Sequence, residues 1–143
     1  MNSLLTPPPR LQPPPAGICF ADRLFSEPEF LPSLCSPADF LFETPGIYVI
    51  LAFAETWQPR LYRPLYFGES QNIRRRATTS HENHDKWQRE AGNVLFRAFH
   101  EMPGSTQAQR QAVESALITR YNTPCNQRLS FDLLSALLGT RKS

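Results

Sequence analysis

The sequence predicts an α+β layer, and three observations lead there. Two apolar runs, Ile47–Ala54 and Leu61–Phe67, read as strands and follow one another with no helical pattern between them. A third strand candidate, Val94–His100, comes later. A helix with its own start signal follows it, from Thr106 to about Tyr121. The order strand, strand, helix, strand, helix, helix makes the first two strands antiparallel neighbours. That favours an α+β layer over a parallel doubly wound sheet.

The elements follow from their residues. Pro7-Pro8-Pro9 and Pro13-Pro14-Pro15 make residues 1–15 a polyproline-like or disordered lead, and the PxxP spacing of a docking motif is missing. Residues 16–44 are apolar but broken by Pro28, Pro32 and Pro37, so they are expected to pack on the core as short turns. A short helix over 37–42, with Ser36 as its cap, is expected among them. Ile47–Ala54 is continuously apolar and partly β-branched, as a buried strand requires. Pro59 and Pro64 make its connection to the next strand longer than a tight hairpin, and Gly68 is expected to end that strand. Ser70 is placed to cap a helix from about Asn72 through Arg76. Residues 80–85 read as a turn or helix end, and Lys86–Ala91 as helical. Pro103-Gly104 is a turn, and Thr106 with Gln109 fits a T-x-x-Q capping box. A last short helix, Leu129–Leu138, is closed by Gly139, and it is expected to pack on the core or on a second subunit.

Size and charge set limits. The 143 residues suffice for one compact domain, with 41% hydrophobic residues for its core. The net charge of +2 permits a nucleic-acid partner without arguing for one. Its distribution is uneven: residues 1–44 carry two basic and five acidic groups, and residues 45–126 carry ten and seven. Three cysteines without CxxC spacing fit neither a disulfide framework nor a zinc site, and point to a reducing cytoplasm. No apolar run approaches the ~20 residues of a membrane span, and the start lacks the pattern of a secretory signal.

Chemistry concentrates in a few residues. At ~100° per residue, Val113, Leu117, Ile118 and Tyr121 share one arc of their helix, and Glu114 falls near its middle. A carboxylate there is costly unless paired or bound to a metal. Arg110, one turn earlier, is the plain pairing partner. In Arg74-Arg75-Arg76, Arg76 lies closest to the inward-facing Ile73, and guanidinium suits phosphate oxygens. A solvated charge run is the other reading of the same residues. Tyr48 and Tyr66 taken singly are ordinary strand aromatics. His81, His84 and Asp85 read first as a polar surface turn.

As an ordered set these residues say more. Gly46-Ile47-Tyr48, then Tyr66-Phe67-Gly68, then Asn72-Ile73-x-x-Arg76, then Glu114-x-x-Leu117-Ile118-x-x-Tyr121, then Pro124-x-Asn126 resembles the GIY-YIG nuclease superfamily. The arginine stands eight residues after the glycine, and the asparagine twelve after the glutamate. The resemblance spans residues 45–126, and places a nuclease domain at 45–127 with a helix and tail at 128–143.

It implies a three-stranded antiparallel sheet flanked by helices. It also implies a magnesium- or manganese-dependent DNA endonuclease leaving 5′-phosphate and 3′-hydroxyl ends. Tyr48 would act near the attacking water, and Tyr66 would hydrogen-bond near the phosphate. Arg76 would hold the scissile phosphate, Glu114 the single metal ion, and Asn126 would brace the site. Arg74 and Arg75 are expected on the substrate, and His81 is a further candidate beside Arg76. Phe67 replaces the usual isoleucine, and Glu69 stands where several relatives carry lysine. The alternatives are a non-cleaving nucleic-acid module of the same fold, or an interaction module using the proline-rich start and C-terminal helix. Specificity would need a homodimer or a separate partner.

Overall fold

The computed structural model describes residues 17–57 and 60–126. The proline-rich lead and the expected Leu129–Leu138 helix lie outside the described residues. In chain order the elements are β1 (Ile18–Phe20), β2 (Arg23–Phe25), β3 (Glu29–Phe30), α1 (Ala38–Leu41), β4 (Gly46–Phe53) and β5 (Tyr62–Ser70). They continue with α2 (Ile73–Arg76), α3 (His84–Ala91), β6 (Phe96–Glu101) and α4 (Gln107–Tyr121), then a 3-10 turn at Pro124–Asn126. The α+β class holds.

The sheet has four antiparallel strands in the order β3-β6-β4-β5, not the expected three. The extra strand is β3, two residues long, paired through Glu29 with Arg97 and Phe30 with Phe96. Two residues carry no periodicity, so nothing local marks them as a strand. β1 and β2 form a separate hairpin where short turns were expected. Its turn places Ala21 and Asp22 at positive φ.

β4 is central, pairing β5 on one side and β6 on the other, and both of its faces are covered. Tyr48, Ile50 and Ala52 face Ile73, Ala77 and Trp87 from α2 and α3 and the segment between. Ile47, Val49 and Leu51 face the hairpin residues Ile18, Phe20 and Phe25, with Leu117 of α4. A strand buried on both faces cannot alternate polar and apolar, which explains the continuous apolar run.

β5 runs to Ser70, so Gly68 lies inside the strand and does not end it. Pro64 is tolerated because β5 is an edge strand and the register slips beside it, between Ile50 and Leu51. α1 starts without a side-chain cap; instead the Asp39 carboxylate accepts from the Ser36 backbone N–H at 2.9 Å. The cap position of α2 is Asn72, whose own N–H donates to the Ser70 hydroxyl at 3.0 Å. The Thr106/Gln109 capping box forms as the spacing predicts, with both reciprocal bonds present.

All three cysteines are free. Among the described residues, no helix is long and apolar enough to cross a membrane.

Candidate active site

Tyr48 and Tyr66 come from adjacent strands and point to the same face of the sheet, with ring centroids 6.0 Å apart. Tyr48 is cross-strand neighbour to Gly68, and the pairing explains the glycine. A β-carbon at position 68 would fall onto the Tyr48 Oη and Cζ atoms, so the phenol occupies the space a side chain would need.

The Tyr48 hydroxyl lies 2.8 Å from His81 Nε2. The second ring nitrogen, Nδ1, accepts the Asn83 backbone N–H at 2.9 Å. An Nδ1 that accepts leaves the proton of the neutral ring on Nε2, so His81 donates to the Tyr48 oxygen. Burial, aided by the Arg76 charge, lowers the His81 pKa to about 4 and keeps the ring neutral. His81 packs on Trp87, centroids 4.6 Å apart, in the segment expected to be a surface turn. The polar-turn reading of His81 is therefore corrected: the side chain is buried and enters the site. His84, by contrast, meets Trp87 edge-on without joining Tyr48.

Burial, then the neighbouring Tyr66, raise the Tyr48 phenol above the ordinary tyrosine value, against the pull of Arg76. Tyr48 is thus a protonated phenol near neutral pH. Tyr66 accepts a hydrogen bond from Asn83 Nδ2 at 3.3 Å, and burial raises its pKa too.

The backbone between Tyr66 and Gly68 is held from outside the sheet. Asn126 Oδ1 accepts the Phe67 N–H at 2.8 Å, and Asn126 Nδ2 donates to the Phe67 carbonyl at 3.0 Å. A single carboxamide thus satisfies both exposed groups of one edge-strand residue, replacing a missing strand. Asn126 thereby ties the 3-10 turn to β5.

α2 holds the arginines. Ile73 is buried, and Asn72 Nδ2 donates to the Asp39 carbonyl at 2.8 Å. The far end of α2 is held by Arg97 of β6, which donates to the Ala77 carbonyl at 2.9 Å and pairs with Glu29 at 2.7 Å. Arg76 projects toward the site and makes two bonds to Glu82, at 2.9 and 2.8 Å. Glu82 is the largest cause of the raised Arg76 pKa, and Arg76 in turn holds the Glu82 carboxyl at about 2. Both side chains remain open to solvent, 40% and 64% exposed. Arg74 and Arg75 turn elsewhere, over the Phe99 ring at 4.6 Å and the Phe40 ring at 4.8 Å.

Glu114 is half-buried on α4, whose Leu117 enters the core while Val113, Ile118 and Tyr121 pack against it. The plain pairing partner is lost: Arg110 turns to Glu69 at 3.0 Å and to the Ser105 carbonyl at 2.8 Å. Glu114 has no ion pair among the described residues. Burial, then the nearby Glu69 carboxylate, push its pKa up to about 7. Its charge opposes ionisation of both tyrosines, while that of Arg76 favours it. The electrostatic reach of Glu114 and Arg76 therefore extends to both phenols.

Tyr48, Tyr66 and His81 thus form one contiguous group, with Arg76 and Glu114 acting on it and Asn126 behind it. Sequence reasoning missed Asn83, Glu82 and Arg97. A hydrogen-bonding residue two positions after His81 was the available signal for Asn83, and nothing local marked Arg97. Compared with family models, curated proteins and solved structures, the chain matches none.

Proposed function

We propose that this protein is a divalent-metal-dependent DNA endonuclease that hydrolyses phosphodiester bonds to 5′-phosphate and 3′-hydroxyl ends. The observation that carries the reading is Glu114: a half-buried carboxylate, without an ion-pair partner among the described residues, close enough to two tyrosines for its charge to oppose their ionisation.

Magnesium or manganese suits this donor set. Among the described residues no three His, Cys, Asp or Glu side chains cluster, so the protein offers Glu114 with Glu69 behind it. Magnesium accepts such sparse protein ligation, keeping waters and substrate oxygens for the rest of its shell. A cation at Glu114 would polarise the phosphate and stabilise the leaving oxygen.

The remaining tasks fall to the chain. Arg76 offers a planar pair of donors to the phosphate, and in the free protein Glu82 fills that fork with a carboxylate of similar shape. Tyr48 accepts from His81 Nε2, and its own O–H, which faces the Tyr66 oxygen, would turn from that neighbour to orient the attacking water. Donation from His81 also stabilises any negative charge that develops on the Tyr48 oxygen. Tyr66, fixed by Asn83 and by the Asn126 clamp, lines the phosphate side.

The test is cleavage of supercoiled plasmid and branched DNA by purified protein, with magnesium or EDTA, beside Glu114→Ala and Arg76→Ala. Nicking that needs metal and is lost in both variants is expected. Equal nicking by all three proteins would sink the assignment. No nicking by the unmutated chain, with tight retention of DNA in a gel shift, would favour a non-cleaving binder.

A further inference from the structure

The proposed nuclease reading leaves the substrate's form open, and the surface beside the site speaks to it. α1 and the residue after it present Phe40 and Phe42 to solvent, 63% and 70% exposed. Large aromatic side chains that exposed contribute nothing to the core and mark a contact surface. They stand beside the two arginines of α2 that turn away from Glu82. The Arg75 guanidinium lies over the Phe40 ring, and Arg74 lines a groove with Phe42, Ser36, Asp39 and Thr44. A second groove, bordered by Cys35, Phe40, Arg75 and Thr78, runs to Ser80, one residue before His81.

The geometry is fixed rather than incidental. The buried Asn72, at the head of α2, donates to the backbone carbonyls of both Asp39 and Phe42 and so ties α1 to α2. Charge selects the partner. Arg74 and Arg75 have no ion pair among the described residues. The extension is acidic in composition, but its carboxylates are engaged. Glu27 pairs with Arg60 at 2.6 Å, Glu29 with Arg97 at 2.7 Å, and Asp39 is turned to the Ser36 N–H. Glu43 sits at the margin, bonded to Gln71. Asp22 lies in the hairpin turn, across the sheet. This face therefore presents two aromatic rings and two guanidinium groups, with Leu34 and Leu41 exposed beside them and the Asp39 and Glu43 carboxylates, bonded to the Ser36 N–H and to Gln71, at its edge.

We infer that the α1–α2 face docks single-stranded DNA, with bases stacking on Phe40 and Phe42 and Arg74 and Arg75 tracking the phosphates toward Arg76. Ring faces engage bases only where those bases are unpaired, so an intact duplex gains little from them. The preferred substrate is therefore DNA with a single-stranded arm. This rests on the endonuclease reading for its meaning, but binding through the rings is testable without cleavage.

Full-length protein in EDTA is titrated into fluorescently labelled single-stranded oligothymidine and into a blunt duplex, beside Phe40→Ala/Phe42→Ala and Phe42→Trp. The double alanine variant is expected to lose about tenfold or more in single-strand affinity, the scale of base–aromatic stacking, with duplex binding changed less than about twofold. The fluorescence of the indole introduced by Phe42→Trp is expected to be quenched by the single strand. Equal single-strand affinity of the double variant and the unmutated chain overturns the proposal. So does loss of a dimer in that variant by light scattering with DNA binding intact, which assigns the face to a second copy. Plasmid nicking in magnesium is run on the same preparations. Ring-dependent binding without nicking removes the endonuclease reading and keeps this surface; nicking without ring-dependent binding does the reverse.

Discussion

Replacing Glu114 with glutamine should stabilise the protein, and increasingly so as pH rises. Glutamine keeps the shape and removes the charge. Glu114 ionises at about 7 in the folded protein against an ordinary 4.5, so the folded state holds a proton that the unfolded chain has released. The sign follows: between those two values the native protein binds more protons, and stability falls as pH climbs. At about 1.4 kcal/mol per tenfold change in protonation, the gap corresponds to about 3 kcal/mol as an upper bound. Glu114 is half-buried, and solvent screening brings the expected value to about 1–2 kcal/mol.

The assay is urea unfolding of both proteins in EDTA, at about pH 5 and about pH 8, with the slopes compared to confirm the same unfolding reaction. The advantage of Glu114→Gln should be small at the lower pH and reach its full value at the higher. Magnesium should then narrow or close that gap at the higher pH, because it stabilises only the unmutated protein. A cation at ten times its dissociation constant contributes about 1.4 kcal/mol. A stability difference that does not change with pH would refute the reasoning. Glu114 would then be an ordinary solvated carboxylate with no need of a metal.

Two further outcomes follow from the site's geometry. Gly68→Ala should displace the Tyr48 ring and cost about 1–3 kcal/mol, read by urea unfolding, together with loss of plasmid nicking. Glu82→Gln should leave stability within about 1 kcal/mol, since the Arg76–Glu82 pair is exposed, while DNA retention in a gel shift tightens because the Arg76 fork is no longer occupied. Weaker retention in that variant would show that Glu82 positions Arg76 rather than competing with the phosphate.

The elements most legible in the sequence are those with strong local signals. The Thr106/Gln109 box predicts the start of α4, and both of its bonds form. The apolar run after Gly46 predicts the central strand, and β4 begins there. Boundaries and pairings fail where the controlling partner is distant in the chain. β5 outlasts Gly68 because its pairing with β4 continues to Gly46–Ser70. One helical turn separates Arg110 from Glu114, yet Arg110 pairs with Glu69, forty-one residues away. His81 reads locally as part of a polar turn, because its partner Tyr48 is thirty-three residues upstream.

The sequence by itself determined which residues are available and which faces they take. Period and capping place Leu117 inward and Glu114 beside it, and strand alternation puts Tyr48 on the same face as Ile50. Those are consequences of fixed backbone repeats. Only the tertiary structure decided who pairs with whom. It drew Arg110 away from Glu114 to Glu69, leaving Glu114 with no ion pair among the described residues, filled the Arg76 fork with Glu82, and set the His81 proton toward Tyr48. Charge and hydrogen-bond partners depend on distances across the folded chain. A carboxylate that looks neutralised along its own helix can therefore end half-buried with its expected partner bound elsewhere.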